Sequence, residues 1–268
     1  MTVETTYTYY KKQKLRGKLL FFLVLIPAIW VAAIAVKVDL SVFQRDNFRM
    51  LSLLSDFLYP SWEVLPKMLY AATQTVLVAL LGTIFGSIVS FGFAIQAANN
   101  LSPRWANLLS RLLIALERSI SEVLIILLLI VIFGLGLFPG VLALTLSCIG
   151  MLGKLYADAI EEIPAKTLES IRSTGASKMQ LILFGVIPSV APSLVSNTIL
   201  RFEINIRSSV MLGAIGAGGL GFELQKAYRY AAYSDMSVAI LTILALVFTA
   251  ERLSGWLRKR LLDQGKIK

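Results

Sequence analysis

The 268-residue chain contains no histidine and a single cysteine, Cys148. Disulfides within one chain, zinc sites built from imidazole and thiolate ligands, and any catalysis routed through a histidine are thereby excluded. The usual enzyme chemistries lose most of their parts, and a membrane enzyme is left as a distant alternative. Charge is scarce too, with 16% of residues being Asp, Glu, Lys or Arg. Apolar residues are what the chain has in excess: 57% are hydrophobic and the mean hydropathy is +0.75. That is above the range of soluble domains and identifies an integral membrane protein. The formal net charge of +10 would suggest nucleic acid for a soluble protein. Here ten of the 26 basic residues cluster in the two short tails of the chain, where they bear on orientation, and no nucleic acid is implied.

Six apolar runs reach or approach the ~20 residues that cross ~30 Å of hydrocarbon as a helix. They are Leu19 to Val36, Tyr70 to Ala94, Leu108 to Leu137, Val141 to Tyr156, Ile187 to Met211 and Met236 to Trp256. The runs are continuous and lack the alternation of a membrane barrel, so the expected fold is all-α and polytopic, with six transmembrane helices in the lipid bilayer. Lys11, Lys12, Lys14, Arg16 and Lys18 precede the first run, and Arg258, Lys259, Arg260, Lys266 and Lys268 follow the last. Basic flanks stay on the cytoplasmic side, which puts both termini there and requires an even number of spans. The chain then divides into a cytoplasmic tail of residues 1–18, a transmembrane domain of residues 19–257 and a cytoplasmic tail of residues 258–268. The first run also fits a cleaved signal peptide, with Ala33 and Ala35 as its small residues, which would leave five spans.

Residues 157–186 form a polar interruption between the fourth and fifth spans and fall on the cytoplasmic side. Ala165 to Arg172 favours helix, Gly175 permits a turn that a side chain would resist, and Ala176 to Phe184 is again helical in character. Two short helices with a bend suit a knob that enters a partner's groove. An ordinary polar connection is the plainer alternative.

The fifth run is unusual in its charge. Pro188 suits its first turn, and at ~1.5 Å per residue Arg201 falls roughly 20 Å further on, near mid-bilayer. An arginine there costs about 2.5 to 3.5 kcal/mol on insertion scales, so it must face protein or water. Arg201, Asn205 and Ser208 share one helical face, whereas Glu203 and Arg207 are spaced to neutralise each other at i, i+4. A guanidinium beside an amide and a hydroxyl suits transient contact with an anionic substrate. The competing reading is a structural ion pair between Arg201 and Glu117 or Glu122 of the third span. The same polar cluster contains Arg118, Ser119 and Ser121, and bridging between helices fits its two glutamates better than the wall of an anion path.

Gly213, Gly216, Gly218, Gly219 and Gly221 follow the fifth run. They include a literal G-x-G-x-x-G, but no strand precedes it and no Lys-Ser/Thr follows, so it is no nucleotide site. The run is expected to end the helix and let backbones approach closely, as a gate or a re-entrant turn requires. Gly82 and Gly86 form a G-x-x-x-G packing seam in the second span.

The stretch Glu169 to Pro188 resembles the cytoplasmic signature of importer permeases driven by ATP-binding partners, which reads Glu-Ala-Ala, three residues, Gly, nine residues, Ile-x-Leu-Pro. Glu169, Gly175 and Pro188 match, while Ser170 and Ile171 replace the alanines and Gly185 and Ile187 replace Ile and Leu. Arg201 to Gly221, with Glu169 to Ser177 and Phe133 to Leu144, is similar to the permease subunit of phosphonate ABC importers. This resemblance implies a type I importer permease in a bacterial cell membrane, with a second copy of itself, two ATP-binding cassette subunits and an extracytoplasmic phosphonate-binding protein as partners. ATP and Mg would be bound by the cassette subunits, leaving this chain without a cofactor and without enzymatic activity of its own. Glu169, Ser170, Gly175, Ala176 and Ser177 would couple to the ATPase; Arg201, Glu203, Asn205, Arg207 and Ser208 would border the substrate path; the glycines from Gly213 to Gly221 would form the gate. Phosphite, phosphate or methionine permeases are related alternatives, and a secondary anion transporter without an ATPase is the rival mechanism.

Overall fold

The computed structural model describes residues 21–37 and 57–265, together with Lys18 and Ser55, and side chains as far as residue 260. The expected tail of residues 1–18, apart from Lys18, and most of the loop Lys37 to Leu69 before residue 57 lie outside the described residues. Residues up to Leu54 form one unit, whose described part is an apolar helix, α1 (Phe21–Ala35), with every apolar side chain but Ala33 exposed.

The second unit is a helical bundle. Its elements are α2 (Leu65–Ala97), α3 (Arg104–Ser119), α4 (Glu122–Phe133), α5 (Leu137–Glu161), α6 (Ala165–Arg172), α7 (Ile187–Leu212), α8 (Gly219–Arg229) and α9 (Tyr233–Gly265). Four described helical stretches are long and apolar enough to cross a membrane: those of α2, α5, α7 and α9. Two shorter apolar helices, α1 and α4, stand where the first and third spans were expected.

The third run departs from expectation. Leu108 to Leu137 is not one span but two helices joined at Ile120, whose backbone is extended (φ −97°, ψ 130°). The polar cluster is the cause. Ser121 leaves helical geometry to accept a hydrogen bond from the Val123 amide, and Glu122 sits in the first turn of α4, where the positive end of the helix dipole favours an acid. The 12 residues of α4 reach only about 18 Å.

Packing centres on α2 against α5. A Cβ on Gly82 would lie 2.6 Å from Leu144 Cβ, and one on Gly86 would lie 2.7 Å from Cys148 Sγ, so the expected glycine seam is the contact between these two helices. One end of the bundle is closed by a polar lattice: Glu161 accepts from Arg111 at 2.6 Å and from the Asn99 amide at 2.6 Å, and Arg172 donates to the Asn100 carbonyl at 3.0 Å. At the other end Ser61 bonds to Asp235, Lys67 pairs with Glu223 at 2.5 Å, and the Gly136 amide donates to Gly216 at 3.0 Å. Side chains such as Phe85, Ile88, Val131 and Phe248 remain exposed along the bundle, as lipid contact requires.

Candidate functional site

The elbow is built as its sequence proposes. α6 ends at Arg172, Gly175 takes a left-handed backbone (φ +79°), and helix resumes at Lys178. Ser177 caps the restart: its hydroxyl accepts from the Gln180 amide while Gln180 Oε1 accepts from the Ser177 amide at 2.8 Å. Leu181–Val186 is then wound as a π-helix into α7, because Pro188 lacks an amide and its ring crowds the carbonyl four residues earlier. Glu169, Ser170, Gly175 and Ser177 are exposed, and Ala176 is half-buried. The inner face is firmly attached: Leu168 is buried with Tyr156, Ile160, Leu181 and Val186, and Ile171 packs on the same cluster. A push on the exposed face therefore reaches α5 and α7 through packed side chains.

Along α7 a line of polar groups is buried against α2 and α5. Thr198 bonds Tyr156 at 2.5 Å. Arg201, 4% exposed, donates through Nη2 to Glu122 at 2.9 Å and to Ser147 Oγ at 2.7 Å, and Ser147 in turn bonds Glu122. Asn205 donates to Thr83 at 2.8 Å and contacts Cys148 Sγ at 3.3 Å, while Ser209 donates to the Thr75 carbonyl at 3.2 Å. Ser208 is a further hydroxyl beside the Glu122 carboxylate. Of the two readings of Arg201, this structure displays the ion pair, with Glu122 and not Glu117 as its carboxylate partner. The pairing is incomplete: among the described residues nothing accepts from Arg201 Nε or donates to Asn205 Oδ1. Glu203 and Arg207 pair within the helix at 3.0 Å, as their spacing requires, and Glu203 also receives Arg258 of α9 at 3.2 Å.

The glycine run ends α7 and turns the chain back. Gly213–Ala217 is a wide turn with Gly216 at φ +136°, followed by Gly218 at φ +77° and Gly219 at φ +70°, and α8 starts where the Leu220 amide donates to Thr75 Oγ1 at 2.9 Å. A Cβ on Gly221 would strike the Val210 carbonyl, so two backbones meet here as expected. The partners that reasoning from sequence missed are Thr75, Thr83 and Ser147. Each is a small hydroxyl in an apolar run, where nothing but the three-dimensional facing reveals it.

An all-helical membrane bundle with an exposed, glycine-bent elbow and a broken polar helix defines a class: the membrane subunit of a transporter. Residues 89–263, more than half of the chain, match the family described as "Binding-protein-dependent transport system inner membrane component", and the chain belongs to that family. It is similar to the phosphate-import permease protein PhnE of Mycolicibacterium smegmatis, with 40% identity over 73% of this chain and 37% of that protein, so it spans well under half of that relative's length. It is also similar to the phosphite transport system permease protein PtxC of Stutzerimonas stutzeri, with 37% identity over 69% of this chain and 68% of that one. Among solved structures, an inward-facing form of the MetNI methionine ABC transporter shares the fold at TM-score 0.66 and 20% identity, over 75% of this chain and 99% of that one.

Proposed function

We propose that the chain is the permease subunit of an ATP-driven importer that brings a phosphonate, or the related oxyanions phosphite and phosphate, into the cell by alternating access. The observation that carries this reading is the exposed Glu169 to Ser177 elbow, rooted by Leu168 and Ile171 in the core beneath α5 and α7. The substrate class is supported by relatives named for phosphate and phosphite, the latter at 37% identity, and by a cation in the polar line of α7. A methionine permease relative is more distant, at 25% identity.

In this mechanism two copies of the chain sit in the cell membrane with both termini in the cytoplasm. Two cassette subunits bind ATP and Mg and grip the elbows, and an external binding protein delivers the anion. Closure of the cassettes pushes α6; the packed Leu168 cluster passes the movement to α7; Arg201 and Asn205 exchange their present partners for the passing oxyanion. Affinity within the membrane should be weak, since a deep well would hold the anion and slow its release.

Purification of an N-terminally tagged chain from its native host in mild detergent tests the reading. We expect an ATP-binding subunit at about equal stoichiometry, lost on Gly175→Val. Because no atom lies within 4 Å of a Cβ built on Gly175, that substitution strains the turn without colliding with the bundle. A chain that purifies only with copies of itself would favour the secondary transporter.

A further inference from the structure

Behind the glycine turn lies a cavity of about 460 Å³. That volume is typical of a small-molecule site. Its wall is one stripe of α8, formed by Phe222, Gln225, Lys226 and Arg229, at the i, i+3, i+4 and i+7 spacing of a single helical face. Leu135 and Gly216 lie opposite, and no carboxylate lines the space. Neither Lys226 nor Arg229 makes an ion pair or side-chain hydrogen bond among the described residues. The acids nearby are occupied: Glu223, on another face of α8, holds Lys67 at 2.5 Å, and Asp235 holds Ser61. Two bases in the last turn of a helix complement its dipole. The dipole alone, however, does not require both of them on the cavity face, nor an amide and an aromatic edge beside them.

On the proposed topology this cavity is extracytoplasmic, the side on which lysine and arginine are disfavoured near spans. Arg201, by contrast, is buried and engaged by Glu122. Lys226 and Arg229 are then cations without an ion-pair partner, among the described residues, at the outer mouth of the path. We propose that the Gln225, Lys226 and Arg229 face of α8 is a receiving site for a phosphate-type oxyanion at the outer mouth of the path. Arg229 supplies a planar donor fork, Lys226 a compact charge and Gln225 an amide donor. The assignment rests on the importer reading for its role in transport, and on the cavity alone for its ligand.

The test uses Phe222→Cys, on the cavity wall but not one of the three donors, in the assembled transporter, where native Cys148 is fully buried and silent toward polar reagents. We expect an anionic thiosulfonate to modify position 222 about tenfold faster than a cationic one, and millimolar inorganic phosphate or methylphosphonate to slow it. Adding Lys226→Gln and Arg229→Gln should abolish both effects, while Lys226→Arg with Arg229→Lys should keep them. No charge preference, or no protection by either anion, would overturn the site. Protection by phosphatidylglycerol in nanodiscs but none by free anion would overturn it in favour of a lipid headgroup. Uptake of the same two anions, measured on the unsubstituted complex, separates the two readings. Protection without uptake removes the importer function and leaves the site; uptake without protection removes the site alone.

Discussion

At the residue scale the central fact is that Arg201 and Glu122 meet across two helices with Ser147 between them. Its charge and depth were legible in the sequence, since an arginine about 20 Å into a span must have a partner or a cavity. Its partner was not, because the choice between Glu117 and Glu122 depends on the break at Ile120, which puts the two carboxylates on separate helices. The pair makes two separable predictions. Glu122→Ala strands a guanidinium that is 5% exposed and should lower stability by about 3 kcal/mol, toward the low end for a buried pair because the Glu122 side chain is 28% exposed. The loss is read as a reduced unfolding midpoint in detergent. Arg201→Met with Glu122→Leu removes both charges and should recover most of that midpoint. Uptake should stay abolished if the guanidinium also meets the substrate. A double variant that regains stability and uptake together would make Arg201 a bolt between helices and nothing more.

At the element scale the boundaries of α5, α7 and α9 were foreseen to within a few residues at their outer limits, because a long apolar run has one low-energy solution in hydrocarbon. The elbow was equally legible, since Gly175 and Ser177 act through purely local backbone chemistry. The third run was misjudged as a single span for a physical reason: hydropathy averages over Ser119 to Glu122, whereas the backbone responds to the one serine that can cap. α8 was hidden as well. Its 11 residues follow a glycine cluster and alternate buried Leu220 and Ala227 with charged positions, too short a stretch to stand out. The glycine seam gives the prediction at this scale. A Cβ on Gly86 would fall against both Cβ and Sγ of Cys148, within a contact between helices that cannot separate without opening the whole core. Gly86→Val should cost about 1 to 3 kcal/mol, as overpacking does. The same change at Gly92, which has nothing within 4 Å, should be tolerated. Monodispersity in size-exclusion chromatography distinguishes the two, and equal behaviour would mean that α2 and α5 are not in close contact in the assembled protein.

At the scale of the whole molecule, the bundle has two chemically different ends, and the proposed function requires them to face opposite compartments. One end gathers the elbow with Glu161, Arg111 and Arg172; the other gathers the glycine turn with Lys67, Glu223 and the basic stripe of α8. Exposed Trp105 lies toward the first end, beside the Asn107 to Ala97 contact, and exposed Trp62, Tyr70 and Tyr230 lie toward the second, as interfacial aromatics on both membrane surfaces would. The basic tails of the sequence argue for a cytoplasmic first end, an inference from residues far in sequence from the α8 stripe whose sidedness matters most. The chain offers a clean way to check it, because its one native thiol is fully buried. Ser173→Cys and Tyr230→Cys each place a single exposed thiol at one end. In intact cells a membrane-impermeant maleimide should label position 230 and spare position 173, and in inverted vesicles the pattern should reverse. Labelling of both from one side would mean that the number of crossings between α6 and the end of α8 is even, which would separate the elbow from any role in passing cytoplasmic movement to an outward-facing gate.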